Sequence, residues 1–270
     1  MQKINLGIMG ASGKMGRMLI EAAHKHCAQF EIKAAFDVEN SPWQGKTLAQ
    51  MTGLDLSIPI EKNLALTVEN LNCVIDFTRP EGTLKHLAIC MEKKFPMVIG
   101  TTGLDEVQKE KIKEAAHFIP IVFSPNMSIG VNVVFQLLDL AARSLNSGFD
   151  VEIVEAHHRL KVDSPSGTAL KMGEVVAHAL NRDLNQCAIY GRQGVLGVRD
   201  ENTIAFSTIR GGDIVGDHTV MFCGIGERIE ITHKGSSRIT YAEGALRAAS
   251  FLQTQKNGLF DMQDVLGFKK

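Results

Sequence analysis

The sequence predicts an α/β fold built in two parts. In the first half, short apolar runs alternate with amphipathic stretches, which is the pattern of a parallel sheet with helices on both faces. From about Val131, several strands follow one another with only turn-like segments between them. This change indicates a second domain of α+β type with a mixed or mostly antiparallel sheet. The 270 residues, 44% hydrophobic and 22% charged, are enough for two such cores.

The elements of the first half follow from the spacing of the apolar residues. Strands are predicted over 4–9, 32–36, 73–77, 97–99 and 119–123, and helices over 14–26, 81–93 and 105–116. Parallel sheets bind ligands at the carboxyl ends of their strands. Those ends are rich in small and hydrogen-bonding residues, so we expect a binding rim at 10–15, 37, 77–78, 100–102 and 124–127.

The second half begins with a predicted helix over 131–145, a strand over 149–156 and a helix over 169–180. Four strands are then predicted, over 195–199, 203–209, 218–223 and 228–233. A last helix over 241–256 could return to the first domain, but its periodicity does not say which sheet it covers.

Charge and cysteine use exclude several classes of protein. The 29 Lys and Arg residues nearly balance 30 Asp and Glu residues, which argues against a nucleic-acid partner. No run approaches the ~18 consecutive apolar residues of a membrane helix, and the N-terminus lacks the pattern of a signal peptide, so no membrane partner is expected. The five cysteines are widely spaced without a CxxC pair. This is typical of reduced thiols in a cytoplasmic protein.

A glycine-rich loop joins the first predicted strand to the first helix. Gly10, Gly13 and Gly16 have the spacing GxxGxxG, a variant of the dinucleotide fingerprint. Such glycines permit a tight turn and let a pyrophosphate approach the backbone at a helix N-terminus, where the dipole favours anions. Asp37 ends the second strand, where an acid accepts hydrogen bonds from the adenosine ribose. A turn that binds nothing has the same glycines, but the placement of the loop and Asp37 favour a nucleotide.

The residues after Asp37 bear on the choice between NADH and NADPH. A 2′-phosphate is usually bound by an Arg or Lys close to this acid, whereas Val38 and Glu39 follow here. Lys33 and Lys46 are near in sequence, but neither is adjacent. We therefore expect NADH, NADPH or both as cofactor, with NADH used at least as well.

The segment 155–169, EAHHRLKVDSPSGTA, is a second candidate site. It groups His157, His158, Arg159 and Lys161 before a turn and a predicted helix, so cations and helix N–H groups can bind an anion. A histidine in such a field can act as a general acid or base. Side chains alternate along a strand, so both histidines face one ligand only if the strand ends before them; otherwise one is structural. No metal is expected, because the pair has no carboxylate or cysteine at customary ligand spacing.

Five segments spread in order over the chain carry a family resemblance: GASGKMG, VIGTTG, SPNMSIGVN, EAHHRLKVDSPSGTAL and GLFDM. They resemble the dihydrodipicolinate (4-hydroxy-tetrahydrodipicolinate) reductases of bacterial lysine and diaminopimelate synthesis, and the HHRxKxDxPSGTA pattern is the most specific. The resemblance implies a Rossmann-type nucleotide domain over 1–128, completed by 240–270. It implies a substrate-binding and tetramerisation domain over 129–239. It also implies a homotetramer that reduces 4-hydroxy-tetrahydrodipicolinate, a small dicarboxylate, to tetrahydrodipicolinate with loss of water.

The resemblance also implies roles for single residues. His157 is expected to be the proton donor and Lys161 the second catalytic donor. The substrate carboxylates are expected at His158, Gly167 and Thr168. The remaining expected contacts are to the cofactor: Gly10, Ala11, Ser12, Gly13, Lys14 and Met15 at the pyrophosphate, Asp37 at the ribose, and Gly100, Thr101, Thr102, Ser124, Pro125, Asn126 and Met127 around the nicotinamide.

Two residues depart from the family pattern. Val38 stands where an Arg is common, which puts an NADPH preference in doubt, and Ser164 stands where an alanine is common, which should leave the turn intact. Two other interpretations stay open on the residues alone. One is a different two-domain dehydrogenase of a small acid or aldehyde, and the other is a non-catalytic module that senses NAD. A cluster of proton donors favours an enzyme, because a sensor has no need of it.

Overall fold

The computed structural model describes residues 2–62 and 70–269. The chain divides into two compact units, unit 1 (1–129 and 238–270) and unit 2 (130–237). The elements up to unit 2 are β1 (Ile4–Met9), α1 (Lys14–Lys25), β2 (Phe30–Phe36), α2 (Leu48–Thr52), β3 (Ile60–Glu61), β4 (Cys73–Asp76), α3 (Pro80–Lys93), β5 (Met97–Ile99), α4 (Glu106–Ala115) and β6 (Pro120–Phe123). Those that follow are α5 (Ile129–Ser144), β7 (Asp150–His157), α6 (Gly167–Ala179), α7 (Leu184–Cys187), β8 (Ala188–Tyr190), β9 (Ile204–Arg210), β10 (Gly216–Cys223) and β11 (Arg228–Gly235). The chain returns to unit 1 with α8 (Ile239–Leu252), β12 (Gly258–Phe260) and α9 (Met262–Val265).

The described strands of unit 1 form one sheet in the order β12-β6-β5-β4-β1-β2-β3, and every neighbouring pair is parallel. The chain builds outward from β1 to one side and then returns to place β4 on the other side. Open sheets of this kind bind ligands at the carboxyl ends of the strands where the order reverses. The predicted parallel α/β domain is therefore confirmed, and the glycine loop follows the strand at its switch point.

Helices cover both faces of this sheet because their apolar stripes pack against its buried strands. The α1 stripe buries Leu19 and Ile20 in a cluster that also contains Ala245 and Ala249 of α8. On the other face, α3 and α4 pack in a cluster that includes Ile112. The C-terminal helix, whose place the sequence left open, thus belongs to unit 1. None of the helices in the described residues has the length and apolar character that crossing a membrane requires.

Unit 2 has a mixed sheet in the order β11-β10-β7-β9-β8. Strand β7 pairs antiparallel with β10 and parallel with β9. Helices α5 and α6 cover one face, where Leu138, Met172 and Val176 pack with Ile153 and Phe206. This arrangement confirms the expected α+β domain with a mixed sheet, and it places the last residue of β7 between two neighbouring strands.

The strand predicted over 195–199 is wrong, because the structure has an irregular loop there. Gly194 and Gly197 have φ values of +76° and +77°, which interrupt an extended chain. Val195 and Val198 are 101% and 99% exposed, so these apolar side chains pack in no core. Conversely, the short strands β3, β8 and β12 were not predicted, since two or three residues carry too little periodicity to indicate a strand.

Candidate active site

The loop after β1 brings its backbone close to the start of α1. Gly10 has a φ of +66°, and Gly13, the residue that precedes α1, has no side chain with which to cap the helix. A Cβ at Gly16 would overlap the carbonyl oxygen of Gly10 and lie 2.6 Å from that of Ala11, so only glycine lets α1 begin this close to the loop. The N-terminal N–H groups and the dipole of α1 point to this turn and could bind an anion there. Of the predicted residues, 10–13 lie in this turn, and Lys14 and Met15 are the first two residues of α1.

Asp37 follows β2, and its carboxylate lies beside the glycine loop. Its Oδ2 accepts hydrogen bonds from the Ser12 amide at 3.1 Å and the Ser41 hydroxyl at 3.2 Å. Its Oδ1 accepts from the Val38 amide at 2.8 Å. These bonds fix a partly exposed carboxylate next to the helix N-terminus, where it can accept hydrogen bonds from ribose hydroxyls.

Two further predicted turns follow β5 and β6 at the same sheet edge. They are joined by the Ser124 amide, which donates to the carbonyl of Ile99 at 3.1 Å. The Ser124 hydroxyl donates to the Asn126 carbonyl at 2.9 Å, which closes the second turn. A Cβ at Gly100 would overlap the ring of Phe77, so the first turn needs glycine. The predicted nicotinamide residues found here are Gly100, Thr101, Thr102, Ser124, Pro125, Asn126 and Met127.

A buried carboxylate that the sequence analysis did not single out lies beside these turns. Asp76 ends β4 with no exposed surface. Its Oδ1 accepts from the amide and the hydroxyl of Thr78, both at 2.7 Å, and from the hydroxyls of Thr83 at 3.3 Å and Thr101 at 3.4 Å. Its Oδ2 lies 2.6 Å from His86 Nδ1. One carboxylate therefore holds the turn after β4, the first turn of α3 and the turn after β5.

In unit 2, His157 is the last residue of β7, and a carboxylate holds its ring. His157 Nδ1 lies 2.6 Å from Oε2 of Glu155, which precedes it by two residues and so points to the same face of the strand. Arg210 donates to both oxygens of Glu155 at 2.8 and 2.7 Å. The Ser166 amide donates to Oε1 at 3.0 Å. With Nδ1 engaged by a carboxylate, Nε2 is the nitrogen left for chemistry.

The protonation of this cluster follows from burial and its partners. Burial raises the pKa of Glu155, but hydrogen bonds from Arg210, His157 and the Ser166 amide lower it more, so this carboxyl stays ionised. Burial lowers the pKa of His157, and the contact with Glu155 raises it again in part. The positive charges of Lys161 and Arg210 lower it further, so the pKa of His157 lies below its ordinary value of 6.5.

A second histidine lies edge-on to His157. The ring centroids of His157 and His218 are 5.1 Å apart, with an interplanar angle of 76°. His218 Nε2 lies 3.0 Å from the hydroxyl of Ser166. Burial lowers the pKa of His218 to about 4, so this side chain is neutral near pH 7. It packs against His157 without adding charge.

The other predicted residues of unit 2 lie in the turn after β7 and at the start of α6. Lys161 Nζ donates to both carboxylate oxygens of Asp163, at 2.7 and 2.8 Å. His158 lies outside β7, which ends at His157, and its buried Nδ1 has no hydrogen-bond partner among the described residues. Gly167 begins α6, and a Cβ there would meet no atom within 4 Å. Thr168 is the second residue of this helix.

Three side chains of this cluster were missed or left without a role by the sequence analysis. Glu155 could have been found, because it precedes His157 by two residues on a predicted strand. Arg210 and His218 come from β9 and β10. Their positions depend on the register of those strands beside β7, which sequence periodicity does not give.

Comparisons with known proteins agree with both halves of the fold. A family model described as "Dihydrodipicolinate reductase, N-terminus" matches residues 4–127, and one described as "Dihydrodipicolinate reductase, C-terminus" matches residues 130–266. A 4-hydroxy-tetrahydrodipicolinate reductase of Dechloromonas aromatica (strain RCB) is 61% identical over 269 residues, covering 100% of both chains. One of Aromatoleum aromaticum is 58% identical over 269 residues, covering 100% of this chain and 97% of that protein.

Among solved structures, a dipicolinate-bound dihydrodipicolinate reductase from Paenisporosarcina sp. TG-14 has a TM-score of 0.76, covering 97% of this chain and 99% of that one. Its 22% identity makes this a likeness of fold alone. The two family models together span nearly the whole chain, and the relatives match it end to end. The chain therefore belongs to the dihydrodipicolinate reductase family.

Proposed function

We propose that this protein reduces 4-hydroxy-tetrahydrodipicolinate to tetrahydrodipicolinate with NADH or NADPH, a step of diaminopimelate and lysine synthesis. One hydride and one proton enter the substrate, and one water leaves it. The observation that carries the proposal is the histidine of the family motif, His157, held by the buried Glu155 next to a helix start suited to carboxylates. The full-length relatives support the same reaction.

The residues of unit 1 fit a nicotinamide dinucleotide. The loop 10–15 would hold the pyrophosphate where Gly16 lets α1 approach, and Asp37 would hold the ribose. The turns 100–102 and 124–127 would surround the nicotinamide. When bound, the dinucleotide supplies the hydride that reduces the substrate ring.

The residues of unit 2 would bind the substrate and supply the proton. A dicarboxylate needs cations and N–H donors, which Lys161, His158 and the start of α6 at Gly167 and Thr168 would provide. His157 would donate its proton from Nε2 to the electron-rich product of hydride addition. General acid catalysis of this kind contributes roughly 10²–10⁴-fold in rate.

The assay that tests the reaction generates substrate in place from pyruvate and aspartate semialdehyde with a separate synthase. We expect synthase-dependent loss of the absorbance of the reduced nicotinamide. Folded protein that binds NADH but oxidises neither nucleotide would contradict the reaction and favour another dehydrogenase or an NAD sensor.

The same assay compares the two cofactors. We propose that NADH is used at least as well as NADPH, because the residue after Asp37 is the uncharged Val38, which is 65% exposed. The guanidinium of Arg17 already has partners within the protein, since it donates to the carbonyls of Ser12 at 3.1 Å and Met51 at 3.0 Å. A kcat/KM that favours NADPH tenfold would contradict this preference.

Two variants test the roles in unit 2. His157→Ala should lower kcat by roughly 10²–10⁴-fold while the Kd for NADH stays unchanged. Lys161→Ala should lower kcat as well as raise the KM for substrate; a change in KM alone would mean that Lys161 only binds. His178→Ala, at an exposed histidine in α6, is the matched control and should behave as the unchanged protein. An unaltered kcat in His157→Ala would exclude the proton-donor role.

We further propose that the protein works in the cytoplasm as a homotetramer, with no nucleic-acid or membrane partner. Residues 1–128 with 240–270 would bind the nucleotide, and 129–239 would bind substrate and form the tetramer. The apolar side chains that unit 2 exposes, including Tyr190 at 59% and Ile209 at 51%, support an interface in this unit. Light scattering should give four times the 29.5 kDa chain mass, and a monomer would contradict the tetramer.

A further inference from the structure

We propose that Glu155, locked by Arg210, is the positioning residue that orients His157 for proton delivery from Nε2 and also fixes the start of α6. The inference rests on the proposed function, which gives His157 the proton. It adds a role for a carboxylate that touches neither the reacting atoms nor the cofactor in that function. It also gives a role to Arg210, which the sequence analysis left without one.

The two oxygens of Glu155 have different partners. Oε2 holds His157 Nδ1 at 2.6 Å, and Oε1 accepts from the Ser166 amide at 3.0 Å. Arg210 spans both oxygens, which fixes the plane of the carboxylate. Glu155 is only 1% exposed, so these donors replace the water that an ionised carboxylate would otherwise need. A single rigid group therefore sets both the orientation of the imidazole and the position of the helix N-terminus.

The opposite side of the imidazole is kept open by a glycine. A Cβ added at Gly216 would lie 3.1 Å from His157 Nε2 and 3.6 Å from His218 Cε1. Gly216 has no positive φ that would otherwise require glycine. The absence of a side chain at Gly216 leaves space beside His157 Nε2. This is the ring nitrogen that does not contact Glu155.

The titratable and charged groups that face His157 come from four segments. Glu155 lies on β7, Arg210 on β9, neutral His218 on β10, and Lys161 in the turn after β7, with Asp163 paired to that lysine. Of the three groups whose charges shift the pKa of His157, which are Glu155, Lys161 and Arg210, Glu155 alone is negative. Without it, two cations would remain to disfavour the imidazolium, so proton delivery depends on this carboxylate for charge as well as geometry.

Glu155→Gln tests the role with an uncharged side chain of the same size. We expect kcat to fall by about 10–100-fold, as for other residues that orient a functional histidine, while the Kd for NADH is unchanged. The falling limb of the kcat–pH profile should move to lower pH. Titration of the His157 ring protons by NMR, in protein without substrate, should show the same downward shift in the pKa of His157.

Two further variants separate positioning from general damage. Glu152→Gln is the matched control, because Glu152 lies on the same strand and pairs with Arg192 at 2.8 Å and Arg199 at 3.1 Å, but points to the opposite face. It should leave kcat and its pH profile unchanged. Gly216→Ala removes no charge and should lower kcat by crowding Nε2. Thermal unfolding and NADH binding confirm that each variant is folded.

The outcomes distinguish this inference from the proposed function. Full activity in His157→Ala would contradict the proposed proton donor, whereas the NMR titration decides on Glu155 without any turnover. An unchanged His157 pKa together with a wild-type kcat profile in folded Glu155→Gln would overturn the positioning role. If Glu155→Gln does not fold, Glu155→Asp keeps the charge but draws the carboxylate back from His157 Nδ1 by one methylene. Wild-type kcat and His157 titration in that variant would overturn the role equally.

Discussion

Glu155 and Asp76 are buried carboxylates in different sheets, and each is surrounded by donors. Burying a charge is costly unless it is paired and hydrogen-bonded, so such groups rarely occur without a purpose. Glu155 holds the proposed proton donor, and Asp76 holds Thr78 and Thr101. The sequence analysis gave neither of them a role: Glu155 begins the candidate segment 155–169 but was not singled out there, and Asp76 ends an apolar run that does not reveal its partners. At the scale of the residue, these two carboxylates hold in place the side chains that the sequence motifs identify.

Asp76→Asn should weaken NADH binding by about tenfold, because the amide replaces one acceptor oxygen in a network worth about 1 kcal/mol per bond. The KM for substrate should stay unchanged. Fluorescence titration with NADH measures the Kd, and Asp55→Asn, at an exposed position in unit 1, is the control. An unaltered Kd in a folded Asp76→Asn protein would show that this carboxylate has no part in holding the cofactor turns.

At the scale of the element, sequence patterns locate what is long, buried or rich in glycine. They predict the strands of the parallel sheet and the loop at Gly10 because buried apolar runs and special backbone turns leave local signals. They do not locate β12, because it is placed by pairing with β6. They also miss the loop over 195–199, where apolar residues that suggest a strand are exposed to solvent. Arg210 reaches the site only through strand register, which no local pattern records.

The start of α6 gives a prediction at this scale. Ser166 caps the helix by accepting from the Ala169 amide at 3.2 Å. Ser166→Ala should cost about 1 kcal/mol of stability and raise the KM for substrate, because the proposed carboxylate site lies at this helix end. Thr47→Ala removes the cap of α2 in unit 1 and should cost a similar stability with no change in that KM. Equal KM values in the two variants would contradict the placement of the substrate.

At the scale of the whole molecule, each unit builds its candidate site at the carboxyl ends of strands. In unit 1 these are the ends of β1, β2, β4, β5 and β6; in unit 2 it is the end of β7. Strand ends suit function because the sheet holds them rigidly while the turns that follow supply varied side chains. The cost of burying polar groups there affects the stability of the molecule as well as its activity.

His218 makes that cost depend on pH. Its pKa in the folded protein is about 4, below its ordinary value of 6.5. The stability it contributes is therefore present above pH 6.5 and is lost as the pH falls through about 4, by about 3 kcal/mol in full. His218→Gln should reduce the drop in Tm between pH 7 and pH 5. The same drop in both proteins would show that His218 is not a buried neutral histidine.

The fate of one hydrogen atom distinguishes the reductase from every alternative. Reduced nicotinamide dinucleotide carrying two deuterium atoms at C4 of the nicotinamide is supplied with substrate made in place by the synthase, and the product is examined by mass spectrometry. We expect one deuterium in each tetrahydrodipicolinate molecule formed, in step with cofactor oxidation. Oxidised cofactor without deuterium in that product, or no oxidation by protein that binds NADH, would contradict the function proposed for this chain.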